Sequence, residues 1–261
     1  MERLQKFLSR AGVASRRKSE KLISEGLVSV NGNLVTEMGL KIDPETDRIE
    51  VEGRVISPPK KLLYFLVNKP RGYICTLDDP QGRKIITDLL PKRTPRVWPV
   101  GRLDWDSEGL IILTNDGELT NMLTHPKFEV TKLYAVKIKG KIEKADPGFK
   151  ALREGVEDPE TKKIMVAKTA HFFKSTGQNT WIEIILTSGQ NRQIRRMCET
   201  LGWEVQRLRR IAIADITMKG VSAGNFRNLE EFEVHQLYEN FGQKTPDEAK
   251  KSKRATKRSR K

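Results

Sequence analysis

A proline-rich break near residue 60 constrains the fold of this chain more than any other feature. Residues 57–61 read SPPKK. This run interrupts the helix and strand patterns on either side of it, and its two prolines make it stiff. Short helical and hairpin patterns precede the break, whereas apolar and alternating runs follow it. A chain of 261 residues has room for two unequal cores. We therefore predict one domain over residues 1–58 and a larger one over residues 62–243.

The first segment predicts two short helices followed by a hairpin. Apolar residues at positions 4, 7, 8 and 11 share one helix face. Gly12 would end this helix, Ser15 would cap a second one, and Gly26 would suit its C-terminus. The Asn31-Gly32 pair predicts a tight hairpin turn, and residues 48–51 a further strand. We expect a small α/β unit.

The second segment is dominated by strand patterns. Amphipathic helical patterns are fewer and weaker there. The pattern predicts a mixed α+β domain with a mainly antiparallel sheet. The predicted strands cover residues 62–67, 97–103, 110–114, 134–138 and 181–187, and the predicted helices cover residues 117–124, 144–154 and 191–201.

The charge balance favours a polyanion as partner. Lys and Arg number 49 against 34 Asp and Glu, for a net charge of +15, which is typical of nucleic-acid binding. Residues 250–261 hold eight of these cations and no acid. Since residues 244–261 are nearly devoid of large apolar side chains, we predict a disordered basic tail that attracts RNA.

Several classes of site and location are disfavoured by the sequence. Two cysteines and three histidines do not have the spacing of a zinc cluster, so we expect no metal. No nucleotide loop or dinucleotide fingerprint occurs, so we expect no cofactor. No membrane-length apolar run and no room for a signal peptide are found, which predicts a cytoplasmic protein without membrane contact, and we expect a monomer.

Residues 101–117 read GRLDWDSEGLIILTNDG and crowd carboxylates beside an arginine between two predicted strands. Loops held by rigid strands often carry catalytic groups. From charge alone, an ordinary solvated acidic turn is the stronger interpretation, because such clusters are common on surfaces. The order of the residues, rather than their charge, changes that balance.

This stretch resembles the signature motif of the pseudouridine synthases of the RsuA, RluB and RluF branch, in which GRLD leads into GL and a TNDG turn. Three further stretches are similar to that family's motifs, in the same order: LVNKPRGY at 66–73, KLY at 132–134 and NRQIRRM at 191–197. Residues 3–57 resemble the S4-type RNA-binding domain that precedes the catalytic domain in these enzymes. The resemblance covers nearly everything except the tail.

The resemblance implies an α+β protein that isomerises a uridine in RNA, with Asp104 as catalytic carboxylate, Tyr134 as active-site tyrosine and Arg195 as basic partner. Arg195 would keep Asp104 ionised in a dry pocket through bidentate pairing, and Tyr134 would pack against the base. Covalent addition of Asp104 to C1′ and a glycal-like route remain open. Without the resemblance, Tyr134 reads as a core aromatic and Arg195 as part of a solvated helix face.

The remaining cations of interest are predicted to contact RNA. Six arginines between Arg192 and Arg210 exceed what one active site can use, so most of them read as phosphate contacts. Ser15 would cap a helix whose N-terminal dipole favours a phosphate. The predicted RNA contacts are Arg10, Arg16, Arg17, Lys18, Lys21, Lys69, Arg102, Arg192, Arg196, Arg207, Arg209 and Arg210.

Two departures from the family pattern leave the proposed catalytic residues untouched. Ser107 stands where the family often has Thr, and residues 188–190 lack the charged residues often found there. Parts of the sequence motifs and the basic tail are most similar to the RluF type, whereas DPQGR at 79–83 is similar to RluB. Both types imply 23S ribosomal RNA, free or in an assembling subunit, as the substrate.

Three alternatives remain at this level. A synthase acting on 16S ribosomal RNA would carry the same motifs. A catalytically silent RNA-binding or ribosome-assembly factor would keep the same basic surfaces, although binding alone does not require a buried acid paired with arginine. A sequence-specific DNA-binding protein is weaker still, because the first two helices have no evident base-reading face.

Overall fold

The computed structural model describes residues 1–59, 61–246 and 248. Its internal contacts divide the chain into two compact units. The first unit holds residues 1–63 with 93–97 and 115–117, and the second holds residues 64–92, 98–114 and those from 118 onward. Part of the predicted linker at residue 60, and nearly all of the predicted tail, lie outside the described residues.

The first unit packs two helices against a small sheet. Leu4, Phe7 and Leu8 are at most 1% exposed and form its core with Ile23, which confirms the helix face expected from their spacing. In chain order the elements are β1 Glu2–Arg3, α1 Leu4–Arg10, α2 Arg16–Ser24, β2 Val28–Val30, β3 Asn33–Leu34, β4 Lys41–Ile42, β5 Ile49–Val51 and β6 Arg54–Ile56. The sheet has the strand order β3-β2-β5-β6.

The turn chemistry of this unit follows the sequence. The Lys18 backbone N–H donates to Ser15 Oγ at 3.2 Å, so Ser15 caps α2 as predicted. Asn31 and Gly32 both adopt positive φ, 54° and 84°. That conformation is what a two-residue hairpin turn requires, and it matches the twist of the flanking strands β2 and β3. The predicted helix pair and hairpin are therefore confirmed.

The second unit is built on one large sheet with helices packed against it. In chain order the elements are β7 Tyr64–Lys69, β8 Trp98–Pro99, β9 Glu108–Thr114, α3 Gly117–Thr124, β10 Lys132–Lys139, α4 Pro147–Glu154, β11 Val156–Glu157, β12 Ile164–Met165, β13 Thr169–Thr176, β14 Asn179–Leu186, α5 Gln193–Thr200, β15 Val205–Ile213, β16 Ile216–Thr217, β17 Phe226–Asn228 and α6 Glu231–Glu239. All strand pairings in the large sheet are antiparallel except that of β15 with β9, which is parallel.

The sheet is nine-stranded, with the order β13-β14-β10-β15-β9-β7-β17, while β16 pairs with β15 and β8 with β9. The contact of β9 with β15 is unusually close at Gly109. A Cβ at this position would lie 2.2 Å from the Arg210 carbonyl oxygen, and φ is +109°. Only glycine allows this approach. Leu66, Leu110 and Leu237, each fully buried, are part of the core of this unit.

Seven elements of the second unit were not predicted: β11, β12, β13, β15, β16, β17 and α6, of which β13, β15 and α6 are the longest. The sequence of β15, VQRLRRIAI, places arginines among its apolar residues. This pattern favours phosphate contacts and gives no clear signal of a central strand. None of the described helices is long and apolar enough to cross a membrane.

Candidate active site

The loop between β8 and β9 that carries Asp104 is held in place by backbone hydrogen bonds. The Ser107 N–H donates to the Asp104 carbonyl at 3.1 Å, and the Gly72 N–H donates to the Trp105 carbonyl at 2.9 Å. Leu103 is 7% exposed, and its N–H donates to Cys75 Sγ at 3.3 Å. The loop is thus anchored on both sides of Asp104, which keeps a half-buried carboxylate in a fixed place.

Lys69 supports this loop from below. Its side chain is fully buried, and Nζ donates to the carbonyl oxygens of Ser107 at 2.7 Å, Asp104 at 3.0 Å and Pro70 at 3.2 Å. Burial lowers the pKa of Lys69, although nearby groups that include Cys75 and Asp104 oppose this. The prediction that Lys69 contacts RNA is wrong, because three carbonyl acceptors occupy a side chain that has no exposed surface.

A cavity of about 280 Å³ lies in the second unit. It is at the small end of ligand sites, which run from roughly 300 to 1,000 Å³, and suits a single nucleoside rather than a helix. Its walls come from the loop that carries Asp104, from one face of β10 and β15, and from the segment before α5. The polar or charged lining residues include Arg102, Asp104, Ser107, Lys132, Tyr134, Ser188, Gln190, Asn191, Arg192, Gln193 and Arg210.

Tyr134 belongs to the floor of this cavity. It is 9% exposed and lies directly opposite Arg210 in the register of β10 with β15. Lys132, two residues earlier on β10, points to the same face because side chains alternate along a strand. The structure therefore brings Asp104 and Tyr134 together around one cavity.

Arg195 is paired differently from what we expected. Its Nη2 lies 3.0 Å from Asp106 Oδ2, and its side chain is 12% exposed. The bidentate pairing with Asp104 that the resemblance implied is not present among the described residues. The reason is the loop geometry: the turn between Asp104 and Ser107 presents Asp106 to α5. Burial lowers the pKa of Arg195, opposed first by Asp106 and then more weakly by Asp104, so Asp104 remains within electrostatic reach.

Arg196 forms a buried ion pair rather than an exposed contact. It pairs with Asp158, whose side chain is fully buried, while that of Arg196 is 15% exposed. Asp158 also accepts from the Thr161 hydroxyl at 2.5 Å and the Glu160 N–H at 3.1 Å. Because its guanidinium neutralises a carboxylate that would otherwise be buried and unpaired, the prediction that Arg196 binds phosphate is wrong.

Arg210 is also not an external phosphate contact. It is 2% exposed, and its Nε donates to the Leu110 carbonyl at 2.7 Å. It reaches the cavity from the floor, on the central strand β15. Its burial excludes contact with an external phosphate, whereas its predicted contact with RNA stays a prediction for a nucleotide inside the cavity.

The other arginines of this region remain exposed or half-buried. Arg102 and Arg192 are exposed and line the cavity. Arg207 is half exposed and donates to both carboxylate oxygens of Glu108, at 2.9 and 3.0 Å. Arg209 is half-buried, with Nη2 at 4.0 Å from Met218 Sδ. Their predicted contacts with RNA stay predictions, and the geometry leaves Arg102 and Arg192 the most accessible.

The cations predicted in the first unit lie on α1 and α2. Arg16, Arg17 and Lys18 are exposed in the first turn of α2. Lys21, also exposed, lies 3.6 Å from Glu25. Arg10 is partly neutralised by an ion pair with Glu2. The exposed first turn of α2, which Ser15 caps, is therefore an accessible basic surface of this unit.

Sequence reasoning overlooked Lys132 as a residue of the site. Its signal was present: it lies two residues before Tyr134 in an alternating strand, so it shares the face that the tyrosine uses. Among the described residues, no group of three or more His, Cys, Asp or Glu side chains is arranged to hold a metal ion.

Comparison with known proteins supports the same assignment of the two segments. The family model described as RNA pseudouridylate synthase matches residues 63–200. The S4 domain model matches residues 2–49. The two matches fall on opposite sides of the proline-rich break.

Relatives and a solved structure match nearly the whole chain. The "Ribosomal large subunit pseudouridine synthase B" of Bacillus subtilis is 43% identical over 242 residues, which covers 91% of this chain and 96% of the relative. An "Uncharacterized RNA pseudouridine synthase" of Aquifex aeolicus is 41% identical, covering 93% and 96%. A solved structure described as "Crystal structure of pseudouridylate synthase" superposes with a TM-score of 0.64 at 28% identity, covering 91% of this chain and all of that one. The chain therefore belongs to the RNA pseudouridylate synthase family and is an isomerase with an N-terminal S4 RNA-binding domain.

Proposed function

We propose that this protein isomerises one uridine of large-subunit (23S) ribosomal RNA, with Asp104 as its catalytic carboxylate. The observation that carries the proposal is the position of Asp104, which lines the same cavity as Tyr134. The name of the Bacillus subtilis relative supports the substrate class. That name also favours the RluB resemblance seen at residues 79–83 over the RluF one.

The cavity geometry supports an extruded nucleotide as the reacting group. A stacked uridine cannot reach Asp104, so the base must leave the helix and enter the cavity, at an unstacking cost of a few kcal/mol. Inside, the base packs on Tyr134, and the Asp104 carboxylate faces C1′ of the ribose. Asp104 then either bonds to C1′ or assists loss of the C2′ proton as the N1–C1′ bond breaks.

Arg195 acts in this proposal through the loop rather than through direct pairing. It holds Asp106, and Asp106 lies two residues beyond Asp104 in the same turn. Lys69 holds the carbonyl oxygens of the same turn from below. A carboxylate fixed in this way needs little reorganisation when charge develops at C1′. Arg195 is therefore a positioning residue for Asp104.

The RNA is bound by exposed cations around the site and on the first unit. Arg102 and Arg192 at the cavity lie where the phosphates that flank an extruded nucleotide pass. Arg207 and Arg209 are further contacts, and the exposed turn of α2 supplies Arg16, Arg17 and Lys18, with Lys21 and Arg10 beside it. Contacts of this kind place the enzyme and do not read sequence. We further propose that the protein acts as a monomer in the cytoplasm.

The proposal is tested by tritium release from RNA labelled at uridine C5, with 23S and 16S RNA from a strain that lacks the protein. We expect release from 23S RNA by the wild type and none by the Asp104→Asn variant. RNA affinity should be nearly unchanged, because the substitution removes a charge at the reaction centre and not a phosphate contact. Trp105→Phe, in the same loop, is the matched control for loop integrity.

Three outcomes would contradict parts of the proposal. Release from 16S RNA alone would move the substrate to the small subunit. Comparable turnover by Asp104→Asn would remove Asp104 from the chemistry. Tight RNA binding by the wild type without release from either RNA, free or in assembling particles, would favour a ribosome-assembly factor.

A further inference from the structure

The floor of the cavity carries two cations whose charge is not used by the roles assigned above. Lys132 and Arg210 both line the cavity, on either side of Tyr134. Lys132 shares the Tyr134 face of β10, and Arg210 is the register partner of Tyr134 on β15. Any base that packs on Tyr134 therefore lies beside both cations.

The guanidinium of Arg210 has an unused donor. Its Nε is satisfied by the Leu110 carbonyl at 2.7 Å. Its Nη2 is buried and has no hydrogen-bond partner among the described residues. Leaving a buried donor without a partner destabilises the folded protein, and more so when the group is charged. Because Arg210 also lines the cavity, this buried guanidinium with an unsatisfied donor points to a ligand that completes its hydrogen bonds.

Lys132 places a second charge beside it. Its Nζ donates to the Val130 carbonyl at 3.1 Å, and an ammonium group has two further N–H donors. Burial lowers the pKa of Lys132 to about 8, and the nearby Arg210 lowers it as well. Two cations side by side in a desolvated floor repel one another, so the arrangement is unfavourable until an anion arrives. Among the described residues that line the cavity, Asp104 is the single carboxylate.

We propose that Lys132 and Arg210 are catalytic residues that bind the carbonyl oxygens of the uracil ring and stabilise the negative charge of the ring once it is detached. The inference rests on the proposed function. When the N1–C1′ bond breaks, its electron pair stays on N1, and the charge spreads onto O2 and O4. This holds whether C1′ bonds to Asp104 or the C2′ proton is lost. The pair of electrons at C5 then forms the new bond to C1′. In the covalent route this displaces the Asp104 carboxylate from C1′, and in the glycal-like route the proton returns to C2′. C5 then loses its proton and N1 gains one, so the reaction is balanced.

The same chemistry explains why the cations belong in the floor rather than at the rim. A fixed donor stabilises developing charge most strongly where water is excluded, and it needs no reorganisation during the reaction. Removing one such donor lowers kcat by about 10²–10³-fold in enzymes that stabilise an oxyanion. Neutral uracil, by comparison, gains only ordinary hydrogen bonds from the pair. The two cations therefore favour the detached ring over the bound substrate.

The first test compares Lys132→Met, which keeps the length and removes the charge, with Lys132→Arg, which keeps the charge. Lys137→Met, on the opposite face of β10, is the matched control. Under single turnover we expect Lys132→Met to lower the rate of uridine consumption by about 10²-fold with a change in KM below about 3-fold. Lys132→Arg should restore most of the rate, and Lys137→Met should equal the wild type.

The pH profile gives a readout that a packing role would not move. The groups that face Lys132 are Tyr134 on its own strand, Arg210 on β15, Asp104 and Arg102 on the catalytic loop, and Arg192 before α5. The wild-type rate should fall as pH rises through about 8, where Lys132 loses its proton. Lys132→Arg should keep its rate to higher pH, because a guanidinium does not titrate there.

A fluorinated substrate separates charge stabilisation from positioning. In RNA with 5-fluorouridine at the mapped target, the fluorine itself withdraws charge from the detached ring. The rate ratio of wild type to Lys132→Met should therefore be several-fold smaller than with uridine. An equal ratio for the two substrates would overturn the inference.

Other outcomes also test the proposed roles of Lys132 and Arg210. A raised KM with unchanged kcat in Lys132→Met would mean that the cation binds a phosphate of the RNA instead. Wild-type rates in a folded Lys132→Met variant would overturn the inference while leaving the proposed function intact. Absence of wild-type activity on every RNA would overturn both. Arg210→Lys, which keeps a charge but loses the Nη2 donor, should lower kcat by at least 10-fold.

Discussion

The floor of the catalytic cavity and the first turn of α2 carry the same residue types with opposite solvation. Lys132 and Arg210 lie in the cavity floor, whereas Arg16, Arg17 and Lys18 are exposed to solvent. A buried cation interacts strongly with whatever enters its pocket, because little water screens it. An exposed cation attracts a polyanion over a longer range but is weakened by salt. In the proposed function, burial more than residue type therefore separates the arginines and lysines that take part in the reaction from those that only bind RNA.

The largest expected effect comes from breaking the buried ion pair of Arg196 with Asp158. Arg196→Met should lower the free energy of unfolding by about 3–5 kcal/mol, because it leaves the Asp158 carboxylate buried without its cation. Lys139→Met is the matched exposed case, since both partners in its pair with Glu204 are more than half exposed. Its cost should be much smaller, because solvent screens an exposed pair. Urea unfolding measures both.

A double variant checks the origin of that cost. If the lone buried carboxylate is responsible, Asp158→Asn combined with Arg196→Met should recover much of the stability lost by Arg196→Met alone. A purely additive loss would instead assign the cost to packing of the arginine stem.

A smaller effect is expected at the support of the catalytic loop. Lys69→Met should lower the free energy of unfolding by about 2–3 kcal/mol, since it removes charged hydrogen bonds to buried carbonyl oxygens. Turnover should fall as well, because the loop then holds Asp104 less firmly. Exposed Lys18→Met should change stability by less than about 0.5 kcal/mol. Equal stabilities for the two variants in chemical denaturation would contradict the difference drawn between buried and exposed lysines.

The pH dependence of stability tests Lys132 without any RNA. Burial lowers its pKa in the folded state to about 8, from an ordinary value of 10.5. The folded state is therefore penalised while Lys132 is charged, below about pH 8, and this penalty disappears as pH rises toward the unfolded pKa. Thermal melting should show Lys132→Met more stable than the wild type at pH 7, with a gap that narrows between pH 8 and 10.5. A stability difference between Lys132→Met and the wild type that does not change with pH would contradict a burial cost for the Lys132 charge.

The smallest expected effect is at the exposed turn of α2. Arg16→Gln and Arg17→Gln should leave stability and kcat unchanged and weaken RNA binding. Each lost phosphate contact should reduce the slope of log affinity against log salt by about 0.7–0.9. Lys150→Gln on α4, whose side chain is 70% exposed, serves as the control cation. An unchanged slope in filter binding at several salt concentrations would remove α2 from the RNA-binding surface.

Local patterns predicted the first unit well. The helix face of Leu4, Phe7 and Leu8, the Ser15 cap and the Asn31-Gly32 turn depend on neighbours within a few residues, and all appear in the structure. The second unit was predicted less completely. Strand β15 was not predicted because its arginines interrupt the apolar pattern that indicates a buried strand. Its burial comes from pairing with β9 and β10, which are distant in the sequence.

The sequence by itself determined the family motifs and the position of Asp104 and Tyr134 within them. It predicted one division of the chain at the proline-rich break, whereas the first compact unit of the structure also takes in residues 93–97 and 115–117. Only the tertiary structure decided what each cation contacts. Lys69 donates to carbonyl oxygens of the loop that carries Asp104, Arg196 pairs with Asp158, and Arg195 pairs with Asp106. Arg210 lines the cavity. The physical reason is that a motif is a property of adjacent residues. Burial and pairing instead depend on segments up to about a hundred residues away, such as Leu110 and Arg210.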